Sequence, residues 1–192
     1  MINIKTKDLN KINIEEINFP LNDEILILKN ILKEKHINSI IKDGSYLLKK
    51  SKTGKINSKV NFNIRDSYSG FIGKIDNKYI KNIKALLKKK YNFNSIDIQL
   101  LYYKDGGFYN PHLDAFKNTE EKENRKYTIL IYLNTPQEGG STYFTKWDTR
   151  IKPEKGTGII WKNLKNGLPD PNTEHTGEKV VGEKYAINIW LT

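Results

Sequence analysis

The pattern of hydrophobic and polar positions changes character about half-way along the chain. In the first half, apolar residues recur at helical spacing over two stretches, from Leu21 to Ile41 and from about Asp76 to Tyr91. Asn22 and Asp23 stand just before Glu24, where they can cap the start of the first helix. Each stretch therefore predicts one amphipathic helix.

The second half has the pattern typical of a β-sheet. Four segments, residues 96–103, 127–133, 158–161 and 185–191, are rich in β-branched and aromatic residues, and turns containing Asn, Asp, Gly and Pro separate them. Because no helical pattern lies between these segments, a sandwich or barrel is favoured over a parallel doubly wound sheet. The predicted fold class is α+β, with a double-stranded β-helix (jelly roll) core and supporting N-terminal helices.

The remaining N-terminal segments have weaker patterns. Residues 1–20 predict an entry strand or arm, and residues 49–59, which are polar and basic around Gly54, predict an exposed hairpin or loop. No internal repeat or low-complexity linker divides the chain, and 192 residues suffice for one sizeable core. We therefore predict one domain over residues 1–192, with a supporting part over 1–95 and the jelly-roll core over 96–192.

The composition excludes several kinds of site. The chain has no cysteine, so disulfides, thiolate nucleophiles and Cys-ligated metal centres are excluded, and any metal must bind nitrogen and oxygen ligands. The net charge of +11 indicates either an acidic partner such as nucleic acid or only the Lys, Asn and Ile enrichment of an AT-rich coding sequence. No signal-peptide pattern or bilayer-length apolar window occurs, so we expect a soluble intracellular protein without a membrane span.

A candidate metal site lies in the segment Tyr103–Asp114. His112 and Asp114 are two residues apart, and alternate side chains of an extended segment project to the same face. One imidazole and one carboxylate suit a borderline divalent metal, and a second histidine would complete the two-histidine, one-carboxylate set of non-haem Fe(II) oxygenases. The same triplet also arises by chance, so support must come from elsewhere in the chain.

Two residues near the C-terminus can supply that support. His36 is expected on the surface of the first helix, which leaves His175 as the second imidazole, although taken alone His175 is more typical of a surface loop. Lys184 shares a strand face with Ala186, Asn188 and Trp190, and a lysine directed into a barrel is costly unless an anion pairs with it. A carboxylate cosubstrate would provide that anion.

From roughly Arg65 to the C-terminus the chain resembles the prolyl 4-hydroxylases of the Fe(II)/2-oxoglutarate dioxygenase superfamily. The resemblance rests on ordered agreement at many positions rather than on one triplet. The matching elements are Tyr103-x-x-Gly106-x-x-Tyr109-x-x-His112-x-Asp114, Arg125-x-x-Thr128-x-x-x-Tyr132-Leu133-Asn134, Gly139-Gly140-x-Thr142-x-Phe144, Pro153-x-x-Gly156, His175 and Lys184.

The resemblance implies roles for residues around the cofactors. It implies that Fe(II) is bound by His112, Asp114 and His175, and that Lys184 pairs with the C5 carboxylate of 2-oxoglutarate. It also implies that the cosubstrate pocket is completed by Tyr132 as a hydroxyl donor, Tyr103 as a lining aromatic, Thr128 on the same face as Tyr132, and Trp190 as a wall.

The resemblance further implies the substrate side and the reaction. Arg65 and Ser67 match an Arg-x-Ser element on the substrate side, and Tyr109 and Trp161 are either cleft aromatics or core residues. The implied reaction is hydroxylation of proline in a peptide or protein, with O₂ consumed, 2-oxoglutarate decarboxylated to succinate and CO₂, and ascorbate as a reductant. Ser141 departs from the family pattern, which often has Glu after the Gly-Gly pair.

Two other functions remain open at this point. An AlkB-type oxidative demethylase of nucleic acids would use the +11 charge, but those enzymes usually bind the cosubstrate with arginine, whereas this chain offers Lys184, so a nucleic-acid substrate is not expected. A non-catalytic basic jelly-roll binding module would not need the complete ligand set. The oligomeric state is not predicted.

Overall fold

The computed structural model describes residues 2–11, 17–53, 59–90 and 93–192. Within these ranges the chain forms seventeen strands and two α-helices, α1 (Glu34–Gly44) and α2 (Lys78–Lys90). The strands are β1 (Asn3–Asp8), β2 (Glu24–Lys29), β3 (Lys49–Lys50), β4 (Arg65–Asp66), β5 (Tyr68–Phe71), β6 (Ile96–Tyr103), β7 (Phe108–His112), β8 (Tyr127–Tyr132), β9 (Glu138–Gly139), β10 (Thr142–Phe144), β11 (Thr149–Ile151), β12 (Gly158–Lys162), β13 (Leu164–Lys165), β14 (Leu168–Pro169), β15 (His175–Gly177), β16 (Val180–Val181) and β17 (Lys184–Leu191).

Two sheets contain most of the strands. The larger has eight strands in the order β1-β2-β12-β8-β17-β6-β5-β3, and the smaller has five in the order β11-β10-β15-β7-β4. The pairs β13-β14 and β16-β9 form two further small sheets. The architecture is thus mixed α and β with strands dominant, as predicted, and strands from the N-terminal half extend both main sheets.

The hydrophobic core lies on both faces of the larger sheet. Along β8, Ile129 and Ile131 pack in one buried cluster with residues of α1 and α2, whereas Leu130 and Tyr132 pack in a second cluster with Phe144 of the smaller sheet. This separation follows from the alternation of side chains along a strand. The second cluster lies beside the candidate site and supports it.

The strand β17 has the two faces that its sequence predicts. Ile187, Ile189 and Leu191 are buried in the helix-side cluster. Lys184 and Trp190 point the other way and line a cavity. The predicted strands over residues 96–103, 127–133, 158–161 and 185–191 are all confirmed, as is the helix predicted from about residue 76 to 91.

The single helix predicted from Leu21 to Ile41 is wrong. Residues Glu24–Lys29 form β2, which pairs in parallel with β1 and antiparallel with β12, and α1 begins only at Glu34. Four consecutive apolar residues occupy the middle of β2, and both faces of the strand are covered by core, which is the environment that favours such a run. Asn22 and Asp23 therefore cap no helix.

The other N-terminal segments agree with their predictions as far as they are described. β1 lies within the segment predicted as an entry strand or arm. Residues 49–59 begin with β3 and fold back through a bridge between Thr53 and Lys59, while residues 54–58 with Gly54 lie outside the described part. Within the described ranges, no helix has the length and apolar character needed to cross a membrane.

Candidate metal centre

Strand pairing brings together the three predicted metal ligands. His112 ends β7 and is the register partner of His175, which begins β15 rather than lying in a turn, and Asp114 follows two residues after His112. The Nε2 atom of His112 lies 3.8 Å from Oδ1 of Asp114, and the Nε2 atom of His175 lies 3.9 Å from its Oδ2. One ligand atom from each residue falls within 4.8 Å of the others, so a single ion can contact all three.

The two imidazoles are oriented by backbone carbonyl groups. Nδ1 of His112 lies 2.9 Å from the carbonyl oxygen of Asn110, and Nδ1 of His175 lies 2.9 Å from that of Thr173. Since a carbonyl only accepts hydrogen bonds, each Nδ1 carries the proton and each Nε2 presents a lone pair to the centre. Burial, together with the neighbouring His175, lowers the pKa of His112 to about 3, so this imidazole stays neutral and suited to bind metal.

The carboxylate of Asp114 is positioned by a chain of hydrogen bonds. Asn163 Nδ2 donates to Thr128 Oγ1 over 2.8 Å, and Thr128 Oγ1 donates to Asp114 Oδ2 over 2.7 Å. Burial opposes ionisation of Asp114, but the electrostatic attraction of His175, His112 and Arg125 and the hydrogen bond from Thr128 together outweigh it and hold the pKa of this carboxyl below its usual value. Two imidazoles and one ionised carboxylate are a donor set that fits Fe(II).

Aromatic side chains fix the positions of the histidines. Tyr109 stacks on the ring of His112 with centroids 3.6 Å apart, and Trp161 meets the ring of His175 edge-on at 5.0 Å. Trp161 is only 1% exposed and is absent from the described residues of the cavity wall, so it packs beneath His175. Of the two readings open for Trp161 from the sequence, the structure favours the core residue.

The three ligands open into a cavity of about 580 Å³ between the two main sheets. A volume in this range is typical of sites for small molecules and cofactors. Among the predicted site residues, the wall includes the triad and Tyr103, Lys184, Trp190, Arg65 and Tyr109.

Lys184 is a buried cation in the cavity wall. Its side chain is 3% exposed, and Nζ donates a 2.5 Å hydrogen bond to the carbonyl oxygen of Gly140. No carboxylate among the described residues forms a salt bridge with it, and burial lowers the pKa of Lys184 to about 8. Nζ lies 5.3 Å from the ring centroids of both Tyr103 and Tyr132. An anion entering here would meet a desolvated positive charge framed by aromatic rings.

Tyr132 and Thr128 reach the site through hydrogen bonds instead of lining the cavity. The hydroxyl of Tyr132 donates over 2.8 Å to Thr142, whose side chain lies in the wall. Thr128 bonds to Asp114 and is fully buried. Because Thr128 and Tyr132 are four positions apart on a strand, the sequence predicts that both point to the cavity side of β8. It does not reveal the partners of their hydroxyl groups.

A chain of hydroxyl groups holds Arg65 at the other side of the cavity. Arg65 Nε donates to Ser67 Oγ over 2.7 Å, Ser67 donates to Ser51 over 2.8 Å, and Ser51 donates to Ser69 over 3.0 Å. The guanidinium carbon of Arg65 lies 4.4 Å from the ring centroid of Tyr109, its register partner in β7. Ser67 is buried and absent from the described wall, so it positions Arg65.

The residues of the cavity wall that received no role from the sequence include Arg125, Gln99 and Asn188. Arg125 lies 3.5 Å over the ring of Trp190 and donates from Nη1 to the carbonyl oxygen of Asp114 at 3.3 Å. Oε1 of Gln99, Oδ1 of Asn188 and Nε1 of Trp190 are buried in this wall without a partner among the described residues, so they are available to a bound molecule. Arg125 begins the Arg-x-x-Thr element, and Asn188 lies on the same strand face as Lys184. The sequence therefore contains a pattern from which a role in the site could have been predicted for both residues.

The third histidine of the chain lies away from the cavity. His36 packs against Tyr79 of α2 as a helix-surface residue, as predicted.

Comparison with known proteins agrees with this geometry. The family model described as the 2OG-Fe(II) oxygenase superfamily matches residues 98–192. Prolyl 4-hydroxylase subunit alpha-1 of Caenorhabditis elegans is 29% identical over 181 residues, covering 88% of this chain and 31% of the relative. Probable prolyl 4-hydroxylase 6 of Arabidopsis thaliana is 30% identical over 155 residues, covering 67% of this chain and 54% of the relative. The chain thus spans about a third to a half of these relatives.

Solved structures share the fold. The viral collagen prolyl hydroxylase of Paramecium bursaria Chlorella virus-1, in complex with 2-oxoglutarate, matches with a TM-score of 0.65 at 24% identity over 87% of this chain and 94% of that one. A Trichoplax adhaerens prolyl hydroxylase in complex with a hypoxia inducible factor peptide fragment matches with a TM-score of 0.68 at 19% identity. The match covers 87% of this chain and 82% of that one. The family model, the relatives named prolyl 4-hydroxylase and the ligand set with its spacing show that the chain belongs to the prolyl 4-hydroxylase family of the 2OG-Fe(II) oxygenase superfamily.

Proposed function

We propose that this chain is an Fe(II)- and 2-oxoglutarate-dependent dioxygenase that hydroxylates proline in a peptide or protein and converts 2-oxoglutarate to succinate and CO₂. The observation that carries the proposal is the convergence of His112, Asp114 and His175 on one cavity whose wall also holds the buried cation Lys184. The curated relatives named prolyl 4-hydroxylase support proline as the target.

The proposed core is a double-stranded β-helix over residues 96–192. The eight-stranded and five-stranded sheets would be its two walls, with the cavity between them. Residues 1–95 would support it, because α1 and α2 pack on the outer face of the larger sheet and β4 extends the smaller sheet beside the cavity.

The proposed metal ligands are Nε2 of His112, Nε2 of His175 and a carboxylate oxygen of Asp114. Fe(II) bound by these three residues, with 2-oxoglutarate and O₂, would supply the oxidising power for hydroxylation of an unactivated C–H bond. Thr128 holds Asp114, and the backbone carbonyls behind the imidazoles hold their orientation, so these groups would position the three ligands for the metal.

Lys184 is proposed to bind the C5 carboxylate of 2-oxoglutarate. Its desolvated ammonium group lacks a carboxylate partner among the described residues, and an incoming carboxylate would relieve the burial of an unpaired charge. Tyr132 would act through Thr142, which it orients by its hydrogen bond, and Tyr103 and Trp190 would form apolar walls that exclude water.

Arg65 and Tyr109 are proposed to contact the substrate. Both line the cavity, stack on each other and are fixed by strand pairing and by Ser67, so they present a rigid edge beside the metal ligands. Trp161 is proposed to support His175 from below. Ascorbate is proposed as the reductant that keeps iron in the Fe(II) state.

The test is product analysis on a panel of proline-containing peptides with Fe(II), 2-oxoglutarate, ascorbate and O₂. We expect succinate release coupled to addition of one oxygen atom to proline, found by mass spectrometry. His112→Ala and Asp114→Ala should abolish both signals, whereas His36→Ala, a histidine on α1, should leave them unchanged. A methylated oligonucleotide runs in parallel, and coupled turnover on it without proline oxidation would replace this proposal with oxidative demethylation.

A further inference from the structure

The cavity beside the metal ligands is strongly basic. Among the described residues of its wall, six are lysine or arginine and only Asp114 is a carboxylate. Lys49, Lys50 and Lys52 come from the segment that begins with β3, and the exposed ring of Phe71 joins them in the wall. This segment therefore contributes half of the positive charges of the wall.

The proposed reaction uses only part of this charge. The charge of Lys184 would be neutralised by the C5 carboxylate of 2-oxoglutarate. The charge of the metal ion would be neutralised by Asp114 and the C1 carboxylate. Lys50 is already matched, since Nζ lies 2.7 Å from Oδ1 of Asp66 and 4.2 Å from the ring centroid of Tyr68. The remaining four cations of the wall form no salt bridge with a described carboxylate; they are Lys49, Lys52, Arg65 and Arg125.

Two of these four cations are free to meet a ligand from solution. Arg65 and Arg125 are stacked on aromatic rings and hydrogen-bonded to neighbouring groups, whereas Lys49 and Lys52 are exposed. A neutral proline segment gives these lysines nothing to pair with, but carboxylates beside the target residue would be attracted to them and oriented at the entrance.

We propose that Lys49 and Lys52 select polypeptide substrates that carry acidic side chains beside the residue entering the active site. The inference rests on the proposed function, because it assumes that the substrate is a polypeptide approaching the metal ligands through this cavity. A nucleic acid would meet the same lysines through its phosphates, but the family of the chain favours a polypeptide. The exposed rings of Phe62 and Phe71 add apolar surface that a peptide side chain can cover.

The test measures binding apart from turnover. Labelled proline-containing peptides that differ only in flanking Glu or Gln are titrated against the protein without O₂, with 2-oxoglutarate present and Mn(II) in place of Fe(II), and followed by fluorescence anisotropy. With two exposed charge pairs, we expect the Glu peptide to bind roughly fivefold more tightly, with the difference shrinking as salt is added.

The variants locate the effect. Lys49→Gln combined with Lys52→Gln should remove the preference for Glu, while Lys35→Gln combined with Lys88→Gln, which removes the same charge from exposed positions on α1 and α2, should keep it. All four positions are exposed, so thermal melting should be unchanged. If the double variant at 49 and 52 is unstable, equal affinity of the unmodified protein for the Glu and Gln peptides would still overturn the inference, and the single variants Lys49→Gln and Lys52→Gln, each expected to reduce the preference, locate it.

The outcomes separate this inference from the proposed function. Equal affinity for the two peptides, or a preference that survives in the variant at 49 and 52, would overturn the inference even if proline is hydroxylated. Preferred binding of the Glu peptide, combined with no oxygen added to its proline in the separate assay with Fe(II), 2-oxoglutarate, ascorbate and O₂, would overturn the proposed reaction and leave the acidic preference standing. A single-stranded oligonucleotide that binds more tightly than the Glu peptide at the same salt concentration would show that the lysines serve a nucleic acid.

Discussion

Replacing Lys184 by Met should change how the stability of the protein depends on pH. Met has a similar length but no charge, so the variant lacks a buried ammonium group that burial holds at a pKa of about 8 instead of the ordinary 10.5. This lowering of the pKa corresponds to about 3 kcal/mol of destabilisation of the folded chain whenever Lys184 is charged in both the folded and the unfolded chain. The hydrogen bond from Lys184 to Gly140 offsets about 2 kcal/mol of this, so at pH 7 without ligand the Met variant should be about 1 kcal/mol more stable.

The sign of the pH effect follows from proton counts. Between pH 8 and 10.5 the unfolded chain keeps the proton on Lys184 while the folded chain loses it, so the free energy of unfolding contributed by this residue rises with pH. Below pH 8 the residue is charged in both states, and its destabilising effect is fully present. Relative to the Met variant, the unmodified protein should therefore gain about 1.4 kcal/mol per pH unit above pH 8.

The assay is urea unfolding of both proteins from pH 7 to pH 9.5 without 2-oxoglutarate, with Lys179→Met as a control because Lys179 is an exposed lysine near the same site. At pH 7, 2-oxoglutarate at about 100 times its Kd should stabilise the unmodified protein by about 2.7 kcal/mol and the Met variant hardly at all. Parallel pH profiles for the two proteins, or equal stabilisation by 2-oxoglutarate, would refute the reasoning.

The contacts of Thr128, Lys184 and Gly70 each lead to a measurable expectation. Thr128→Val removes the hydroxyl that holds Asp114 and should weaken Fe(II) binding about tenfold in an anaerobic titration, whereas Thr128→Ser should bind Fe(II) normally. Normal Fe(II) binding by the Val variant would reject the positioning role of Thr128. The affinity for 2-oxoglutarate, measured by calorimetry, should fall above pH 8 as Lys184 loses its proton, and a constant affinity from pH 7 to 9 would show that this charge is not used. Gly70→Ala should lower the free energy of unfolding in urea by about 1–3 kcal/mol, because a Cβ at this position would lie 2.6 Å from a backbone oxygen. A Cβ at Gly73 would have no neighbour closer than 3.7 Å, so Gly73→Ala should be tolerated. Similar losses of stability in both variants would contradict the packing argument.

The strands of the core could be predicted because their local composition and their environment agree. β6, β8, β12 and β17 are rich in β-branched and aromatic residues, and they form the centre of the larger sheet. The pattern wrongly predicts a helix over the run Ile25–Leu28 because continuous apolar residues suit both a buried helix and a strand covered on both faces. Only its pairing with β1 and β12, which are distant in sequence or weakly patterned, decides between the two.

The candidate site could be predicted where spacing or scarcity restricted the choice. His112 and Asp114 are separated by one residue, and the third ligand had to come from a chain with only three histidines. The hydrogen bonds from Asn163 to Thr128 and on to Asp114 depend on the register between β8 and β12, which no local pattern specifies. The same holds for the serine hydroxyls that support Arg65.

The most direct measurement is an anaerobic titration of the protein with Fe(II) in the presence of 2-oxoglutarate, followed by the visible charge-transfer absorption of the iron complex. We expect the absorption to saturate at about one equivalent of Fe(II) per chain, as a single site with three protein ligands requires. It should disappear in His175→Ala, and Lys184→Met should need far more 2-oxoglutarate to develop it. Absence of the absorption in the unmodified protein, or its full retention in His175→Ala, would contradict the assignment of this cavity as an Fe(II) and 2-oxoglutarate site.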